Sequence, residues 1–177
     1  MSYSLARAYS TIPTWESACS ADLVTDDAIW KGVCYNDSEF SGSQITVTGT
    51  TTDATRYLWL TVAVGHRHSG QRYTTSGVRY VGSYGYGAQI DFRSVPYSII
   101  EWMQINTGSG GIGADYNSSE NITIRNCIVY FPSNQPDSIY YVGILQTGTS
   151  AKCYNNLVYS AATFNIKRAI TVSYEAN

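Results

Sequence analysis

The sequence predicts an all-β protein, a β-solenoid with one short helix at its N-terminal end. Three observations predict this fold class. A helical pattern of apolar residues occurs only near the start of the chain, in residues 10–24. Beyond it, apolar and polar residues alternate in short runs that glycine, asparagine, serine and aspartate separate. These runs repeat with a period in the twenties, which is typical of strands stacked as coils.

The helical pattern in residues 10–24 carries the signals of a helix N-terminus. Ser10 and Thr11 are residue types that cap helices, and Pro13 lies in the first turn, where no backbone donor is needed. Glu16 lies near the positive end of the helix dipole. Four residues share one face at three- and four-residue spacing: Trp15, Ala18, Cys19 and Leu23. We therefore predict that this short helix covers one end of the solenoid.

Strand-like runs follow the helix along the rest of the chain. They cover residues 32–35, 44–48, 57–64, 77–81, 88–92, 98–105, 121–130, 140–146, 151–159 and 168–174. No helical segment lies between them, which excludes an alternating βαβ protein. We predict one structural domain, in which residues 1–32 form the N-terminal cap with its helix and residues 33–177 form the coils.

The repeat is clearest in the second half of the chain. Residues 89–105 align without a gap on residues 113–129, 24 residues later, so that Ile100 falls on Ile124. The same alignment places Ile90 on Ala114, Phe92 on Tyr116 and Met103 on Cys127. The next copy lies 29 residues further on, where Cys153 follows Ile124. Aligned residues should become neighbours on adjacent coils, about 4.8 Å apart.

Two asparagines mark a corner of the predicted coil. Asn126 and Asn155 follow a strand at the same place in successive copies. Asparagine tolerates the left-handed backbone conformation, and stacked asparagine side chains can bond one another in a ladder. We therefore predict a structural role for both residues.

The copies resemble the coils of right-handed parallel β-helices. The segment 121–130, which reads Asn-Ile-Thr-Ile-Arg-Asn-Cys-Ile-Val-Tyr, is similar to a common coil sequence of the pectate-lyase-like architecture. That class includes polysaccharide lyases, glycoside hydrolases and phage tailspikes, and the chain is also similar to β-helix proteins of environmental bacteria and phages. The resemblance covers residues 33–177, and the helix around Trp15 resembles the cap that seals the first coil. It implies a right-handed parallel β-helix and leaves the activity open.

Composition excludes several classes of protein. Charged residues make up 14% of the chain, against a usual figure of about 25%, and the net charge is −2. The 11 lysines and arginines are scattered, so no basic stripe points to a nucleic-acid partner. No apolar run approaches the roughly 20 residues of a membrane helix, so we expect no membrane span. A surface rich in hydroxyl groups suits a β protein outside the cytoplasm.

Both ends of the sequence bear on where the protein works. The first residues lack a basic region followed by an apolar run, so we predict no signal peptide. Export then requires a leader that was removed, or release by another route such as lysis by a phage. Residues 174–177 show no cap pattern. We therefore expect either a longer chain or a second subunit on the last coil, as in a trimer or a filament.

An acidic pair is the sharpest catalytic hypothesis in the sequence. In the 24-residue alignment, Asp91 lies beside Asp115 on adjacent coils. Two carboxyl groups about 5 Å apart match the spacing of a retaining glycosidase. The alternative is a pair of solvated acids, with Arg93 or a cation offsetting their repulsion. The same alignment places Glu101 beside Arg125, a predicted surface ion pair worth about 0–1 kcal/mol.

Tyrosines provide the candidate binding residues. The candidates are Tyr84 and Tyr86, in a segment (82–87) that reads as a loop projecting from a coil, and a second cluster, Tyr140 and Tyr141. Tyr73 and Tyr80 lie close to the first pair in sequence. Exposed tyrosine is a rigid, amphipathic contact residue for a sugar or a partner protein. The alternative is that some of these rings pack over the edge of a coil.

Cysteines and histidines give weaker signals. Cys19 and Cys34 are a disulfide candidate, with four buried free thiols as the alternative. His66 and His68 flank Arg67, but no third metal ligand is evident, so we predict a structural role for them and no metal site. The sequence has no P-loop, no G-x-S-x-G motif and no dinucleotide fingerprint, and we expect no cofactor. The lyase patterns R-x-P-x-x-R and W-x-D-H are absent as well.

Together these observations favour a structural and surface-recognition protein over an enzyme. We expect a rigid β-helix in an extracellular or virion assembly, which binds a surface polysaccharide through tyrosine-rich loops. The alternative is a polysaccharide depolymerase, a hydrolase or lyase that uses the acidic pair. A third hypothesis is a carbohydrate-binding part of a larger secreted protein.

Overall fold

The structure is a parallel β-helix of five stacked coils. This computed structural model describes residues 8–82, 87–93, 95–114, 120–132, 142–147, 150–161 and 168–173. Within them, parallel strands form three sheets of five strands each, and every coil contributes one strand to each sheet. A single short helix precedes the first coil. The predicted fold class, an all-β parallel β-helix with a short N-terminal helix, is confirmed.

Each coil has three strands. The helix is α1 (Ile12–Ser17), and the first coil contains β1 (Trp30–Cys34), β2 (Phe40–Gly42) and β3 (Ile45–Val47). The second contains β4 (Leu58–Val62), β5 (Arg79–Gly82) and β6 (Ala88–Phe92). The third contains β7 (Ile99–Glu101), β8 (Gln104–Asn106) and β9 (Gly110–Ala114), and the fourth β10 (Thr123–Arg125), β11 (Ile128–Phe131) and β12 (Val142–Thr147). The fifth contains β13 (Lys152–Tyr154), β14 (Leu157–Ser160) and β15 (Arg168–Ser173).

Stacked apolar side chains form the core. We call the sheet of β1, β4, β7, β10 and β13 sheet 1, that of β2, β5, β8, β11 and β14 sheet 2, and that of β3, β6, β9, β12 and β15 sheet 3. Sheet 3 carries a row of isoleucines in register: Ile45, Ile90, Ile112, Ile144 and Ile170. The first four of them are buried and the last is exposed. Because each such side chain packs on the same residue type one coil away, the row extends the core along the axis.

The 24-residue alignment is right in two sheets and wrong in the third. In sheet 1 Ile100 pairs with Ile124, and Ile124 pairs in turn with Cys153, as predicted. In sheet 3 Ile90 pairs with Ile112 and not with Ala114. The reason is the connection from sheet 3 to sheet 1, which has six residues (93–98) after β6 and eight (115–122) after β9. A gapless alignment therefore slips by two residues in sheet 3.

The helix is shorter than predicted. Thr11 is the N-cap and Pro13 lies in the first turn, as expected, but the helix ends at Ser17 and does not continue to residue 24. The chain after it forms local side-chain bonds: the Asp22 amide donates to Ser20 Oγ, and the Thr25 amide donates to Asp22 Oδ1. Such bonds compete with helical ones.

The helix covers the first coil through one tryptophan. Trp15 is buried and packs over Gly32 in β1, where a Cβ atom would lie 2.7 Å from Trp15 Cε2. Gly32 occupies the inward position that Leu60 fills in the next coil. The indole ring therefore takes the space of a missing core side chain, which seals this end of the core.

A left-handed corner separates sheets 1 and 2. Asn126 and Asn155 have φ of 54°, as predicted, and Trp102 has φ of 65° at the same place in the third coil. The predicted ladder, with Asn126 and Asn155 side chains bonded to one another, is not formed, and the next residue, Asn156, bonds backbone groups of the fourth coil instead. Asn156 accepts from the Cys127 amide at 2.9 Å and donates to the Ile124 carbonyl at 2.9 Å, so it ties the fifth coil to the fourth.

The left-handed backbone at Asn155, whose side chain is exposed, predicts how substitutions there change stability. Asn155→Ala should lower the free energy of unfolding by about 1 kcal/mol, because a Cβ atom is unfavourable at positive φ without the local bonding of an asparagine side chain. Asn155→Gly should change it little, because glycine adopts this conformation freely. Urea denaturation measures both, with Lys152→Ala in the same coil as the control. An equal loss in the alanine and glycine variants would contradict this account of the corner.

Candidate functional site

A long connection crosses the outer face of sheet 2. Residues 63–78 join β4 to β5, and we call this segment the strap. It begins with a short 3-10 turn, Val64–His66, and continues without regular structure. Gln104 and Ile128 point away from the core of sheet 2, yet both are almost fully buried. The strap lies over this part of the outer face.

Hydrogen bonds fasten the strap to four of the five coils. The Asn36 amide of the first coil donates to His66 Nδ1 at 3.0 Å. Gln104 of the third coil accepts from the Thr74 amide at 2.8 Å and donates to the Thr74 carbonyl at 3.1 Å. Tyr159 of the fifth coil accepts from the Tyr73 amide at 2.6 Å. Since these coils are separate in sequence, the strap holds them together along the axis.

Gly77 allows the strap to lie close to Gln104 on the outer face of sheet 2. Its φ is +113°, and a Cβ atom there would lie 2.9 Å from both Gln104 Nε2 and the His68 amide nitrogen. A side chain at this position would collide with the Gln104 side chain, which fastens the strap, and with the backbone of His68.

His68 supplies the remaining attachment, to the fourth coil. Its Nε2 lies 2.8 Å from the Asn126 carbonyl oxygen, and its Nδ1 accepts from the Gly70 amide at 3.0 Å. Nδ1 is therefore unprotonated and Nε2 carries the hydrogen, which defines a neutral ring. Burial lowers the pKa of His68, and the bond to the Asn126 carbonyl opposes this shift only in part.

Trp102 connects the strap to the left-handed corner. The Arg67 guanidinium lies 4.7 Å from the centre of its ring, and the ring centres of His68 and Trp102 are 5.6 Å apart. A bulky residue at φ of 65° is uncommon and costs conformational energy. Here the large ring gives Arg67 and His68 a surface to pack on, which the asparagines of the next two coils do not offer.

Three tyrosines stack beside the strap. Tyr73 lies on Tyr130 with ring centres 5.1 Å apart and an interplanar angle of 19°, and Tyr130 lies on Tyr159 at the same distance with an angle of 38°. We call them the tyrosine ladder. Tyr130 and Tyr159 are register partners in sheet 2, so the rings follow the spacing of the coils. Burial raises the pKa of Tyr73, and the neighbouring Asn106 and Arg79 side chains lower it in part.

The ladder lines a surface depression of about 410 Å³. Arg72, Thr74 and Ala161 complete its wall, and Arg72 and Ala161 are exposed. An aromatic wall with a few polar groups at its edge is the usual composition of a ligand site. A larger cavity, of about 610 Å³, lies between α1 and the first coil. Its walls include core residues such as Trp15 and Leu60, so it belongs to the packing of the cap.

A second polar cluster lies on the outer face of sheet 1. Glu101 accepts from Trp59 Nε1 at 3.0 Å, from Thr61 Oγ1 at 2.7 Å and from Arg125 Nε at 2.6 Å. The predicted Glu101–Arg125 pair is thus present, but the carboxylate is buried. Burial raises the pKa of Glu101, and the bonds from Thr61, Arg125 and Trp59 outweigh it, so the pKa lies below its usual range. This carboxylate is occupied by structural bonds.

The predicted register of the acidic pair is wrong. Asp91 pairs across the sheet with Gly113, as the two-residue slip in sheet 3 requires, and Asp115 lies outside the described residues. The Asp91 side chain is 2% exposed, and Arg93 Nε donates to its Oδ2 at 2.5 Å. A carboxylate so enclosed and paired is poorly placed to meet a polysaccharide.

Most of the tyrosines predicted as binding residues fall outside the part of the chain that the structure describes. Tyr84, Tyr86, Tyr140 and Tyr141 lie outside the described residues. Tyr80, by contrast, is part of the core, and its hydroxyl donates to the Ser43 carbonyl.

All four cysteines are free thiols in the structure, so the Cys19–Cys34 disulfide candidate is not formed. Cys34 is buried, which raises its pKa to about 12. The Cys19 thiol instead accepts from Thr50 Oγ1 at 3.9 Å. Among the described residues, no group of three histidine, cysteine or acidic side chains could hold a metal ion.

Tyr130 and Tyr159 are the site residues that the sequence pattern missed. They are 29 residues apart, the same spacing that relates Ile124 to Cys153, so the repeat itself could have paired them. The place of Tyr73 had no such signal, because the strap has no counterpart in the other coils.

Comparison of the chain with protein-family models, with curated proteins and with solved structures gives no match. None of the helices in the described residues is long and apolar enough to cross a membrane. The site must therefore be interpreted from its own chemistry.

The neutral state of His68 predicts a pH dependence of stability. An unfolded histidine has a pKa of about 6.5, and that of folded His68 is lower, so the unfolded chain takes up the proton first as the pH falls. The contribution of neutral His68 to the free energy of unfolding is fully present above about pH 6.5. It is lost as the pH falls from there through the lower pKa of the folded protein. Urea unfolding between about pH 7.5 and pH 5 measures the change, and His68→Gln should remove this part of it. An NMR titration that places the pKa of His68 at or above 6.5 would contradict the prediction.

Proposed function

We propose that this protein is a non-enzymatic recognition protein, whose rigid β-helix presents the tyrosine ladder to a surface polysaccharide. The observation that carries the proposal is the stack of Tyr73, Tyr130 and Tyr159 in one depression. Tyrosine offers an apolar ring and a polar hydroxyl together, which suits a sugar with its apolar faces and its hydroxyl groups.

The geometry of the ladder favours an extended ligand. The rings of Tyr130 and Tyr159 lie 5.1 Å apart in step with the fourth and fifth coils, and Tyr73 of the strap continues the stack at the same ring-centre distance. A linear polymer laid along the axis would meet Tyr130 and Tyr159 at successive coils and Tyr73 beside them. The strap holds Tyr73 in place through the Tyr73–Tyr159 and Thr74–Gln104 bonds, so little conformational freedom remains to be lost on binding.

An extracellular or virion setting belongs to the same proposal, as does a relation to pectate-lyase-like and phage β-helices. The low fraction of charged residues, 14%, and the all-parallel coils support it. The burial of Asp91 and its bond to Arg93 favour recognition over depolymerase activity.

Loss of the outermost ladder ring should abolish polysaccharide binding. Tyr159→Ala removes the ring and the acceptor of the Tyr73 amide, and we expect affinity to fall at least tenfold. Affinity electrophoresis through gels containing soluble polysaccharides of different linkage measures this directly. Tyr154→Ala, an exposed tyrosine of the same coil on sheet 1, is the matched control and should bind like the parent protein. The proposal is wrong if no polysaccharide retards the protein, or if both variants bind alike.

Self-assembly through the last coil is a further part of the proposal. In the described residues, β13, β14 and β15 each pair with a neighbour on one side only, and Ile170 is 44% exposed. Unpaired strand edges and exposed apolar side chains favour pairing with another chain. Light scattering after size exclusion should give a mass above 19.5 kDa, in a trimer or a longer assembly. A stable monomer at the concentrations tested would contradict this part.

A further inference from the structure

The arginines of this protein fall into two groups. Four of them pair with a carboxylate: Arg56 with Asp53, Arg79 with Glu39, Arg93 with Asp91 and Arg125 with Glu101. The other two whose side chains the structure describes, Arg67 and Arg72, have no carboxylate partner within the described part of the chain. Both lie in the strap, Arg72 in the wall of the depression and Arg67 against Trp102 at the corner between sheets 1 and 2.

Arg67 is held in position although it has no counter-ion. Its Nε donates to the Val62 carbonyl at 3.2 Å, and its guanidinium packs on Trp102. These contacts fix the plane of the group and leave the two Nη atoms without an acceptor among the described residues. A fixed guanidinium with free Nη donors matches the geometry of a carboxylate or a sulfate.

Arg72 lies at the ladder itself. It lines the same depression as Tyr73, Tyr130 and Tyr159, and it is exposed to solvent. In a chain with few charges, Arg72 gives the aromatic wall a local positive field, and Arg67 adds a second unpaired cation five residues earlier on the same segment. A neutral sugar polymer would make no use of that field.

We propose that the polysaccharide bound at the ladder is anionic, and that Arg67 and Arg72 bind its carboxylate or sulfate groups while the tyrosines contact its sugar rings. This inference rests on the proposed function and names the ligand class of the same site. The strap then has two roles, since it fastens the coils and carries the cations.

Matched polymers test the inference. Alginate and its carboxyl-reduced neutral form differ only in the carboxylates, and dextran sulfate and dextran differ only in the sulfates. We expect at least one charged polymer to bind ten times more tightly than its neutral partner, with an affinity that falls as salt is added. The pair that shows the difference identifies the anionic group.

Three variants assign the binding to the strap. Arg67→Gln and Arg72→Gln should each weaken binding of the charged polymer about tenfold, as expected for loss of one charge-assisted contact. Lys152→Gln removes the same charge from an exposed site on sheet 1 and should leave the affinity unchanged. Thermal unfolding of each variant checks that the fold is retained.

The outcomes separate this inference from the proposed function. If charged and neutral polymers bind alike and Tyr159→Ala abolishes both, the ladder binds glycans but the anionic assignment is wrong. If Arg67→Gln, Arg72→Gln and Lys152→Gln weaken binding equally, the attraction is a general charge effect and the inference also fails. If none of the four polymers binds, both proposals are overturned.

Discussion

Parallel pairing in register between successive coils is the constraint on which this structure depends. Each inward position must carry a side chain that packs on its counterpart one coil away. The isoleucine row of sheet 3 and the sheet 1 row through Leu60, Ile100 and Ile124 meet this condition with side chains of similar size. Where the sheet 1 row meets the cap, the inward position is Gly32, which has no side chain, and the Trp15 ring fills the space. The core is thus a set of axial rows, and its ends are the places where packing must change.

The same constraint explains the corners and the strap. A coil can stack on the next one only if its corners turn in the same way, and Trp102, Asn126 and Asn155 share the left-handed conformation for this reason. Outside the corners, insertions are tolerated because they project from the stack. The strap is such an insertion, and its polar backbone is satisfied by Gln104, His68 and Tyr159. An added segment has therefore become part of the outer layer of sheet 2.

The sequence predicted the fold better than the site, for a physical reason. Apolar periodicity and the spacing from Ile124 to Cys153 reflect the stacking, so the coils and the asparagine corners could be read from the pattern. The apolar pattern does not reveal how long a connection between strands is. The two extra residues between β9 and β10 were therefore enough for the alignment to assign Asp91 the wrong register partner. The predicted helix was too long because the hydrogen bonds of the Ser20 and Asp22 side chains, which compete with helical bonds, leave no trace in the spacing of apolar residues. The candidate site joins side chains from the strap and from two separate coils, and no local pattern brings these together.

The three rings of the tyrosine ladder are supported in two different ways. The coils hold Tyr130 and Tyr159 in register through backbone pairing, so their rings need no further support. Tyr73 belongs to no strand and is held by the strap, whose fastening at His68 requires a neutral imidazole. The ladder therefore joins two rings fixed by the fold to one ring fixed by side-chain bonds. The strap, which fixes the third ring through side-chain bonds alone, is also the segment that carries Arg67 and Arg72.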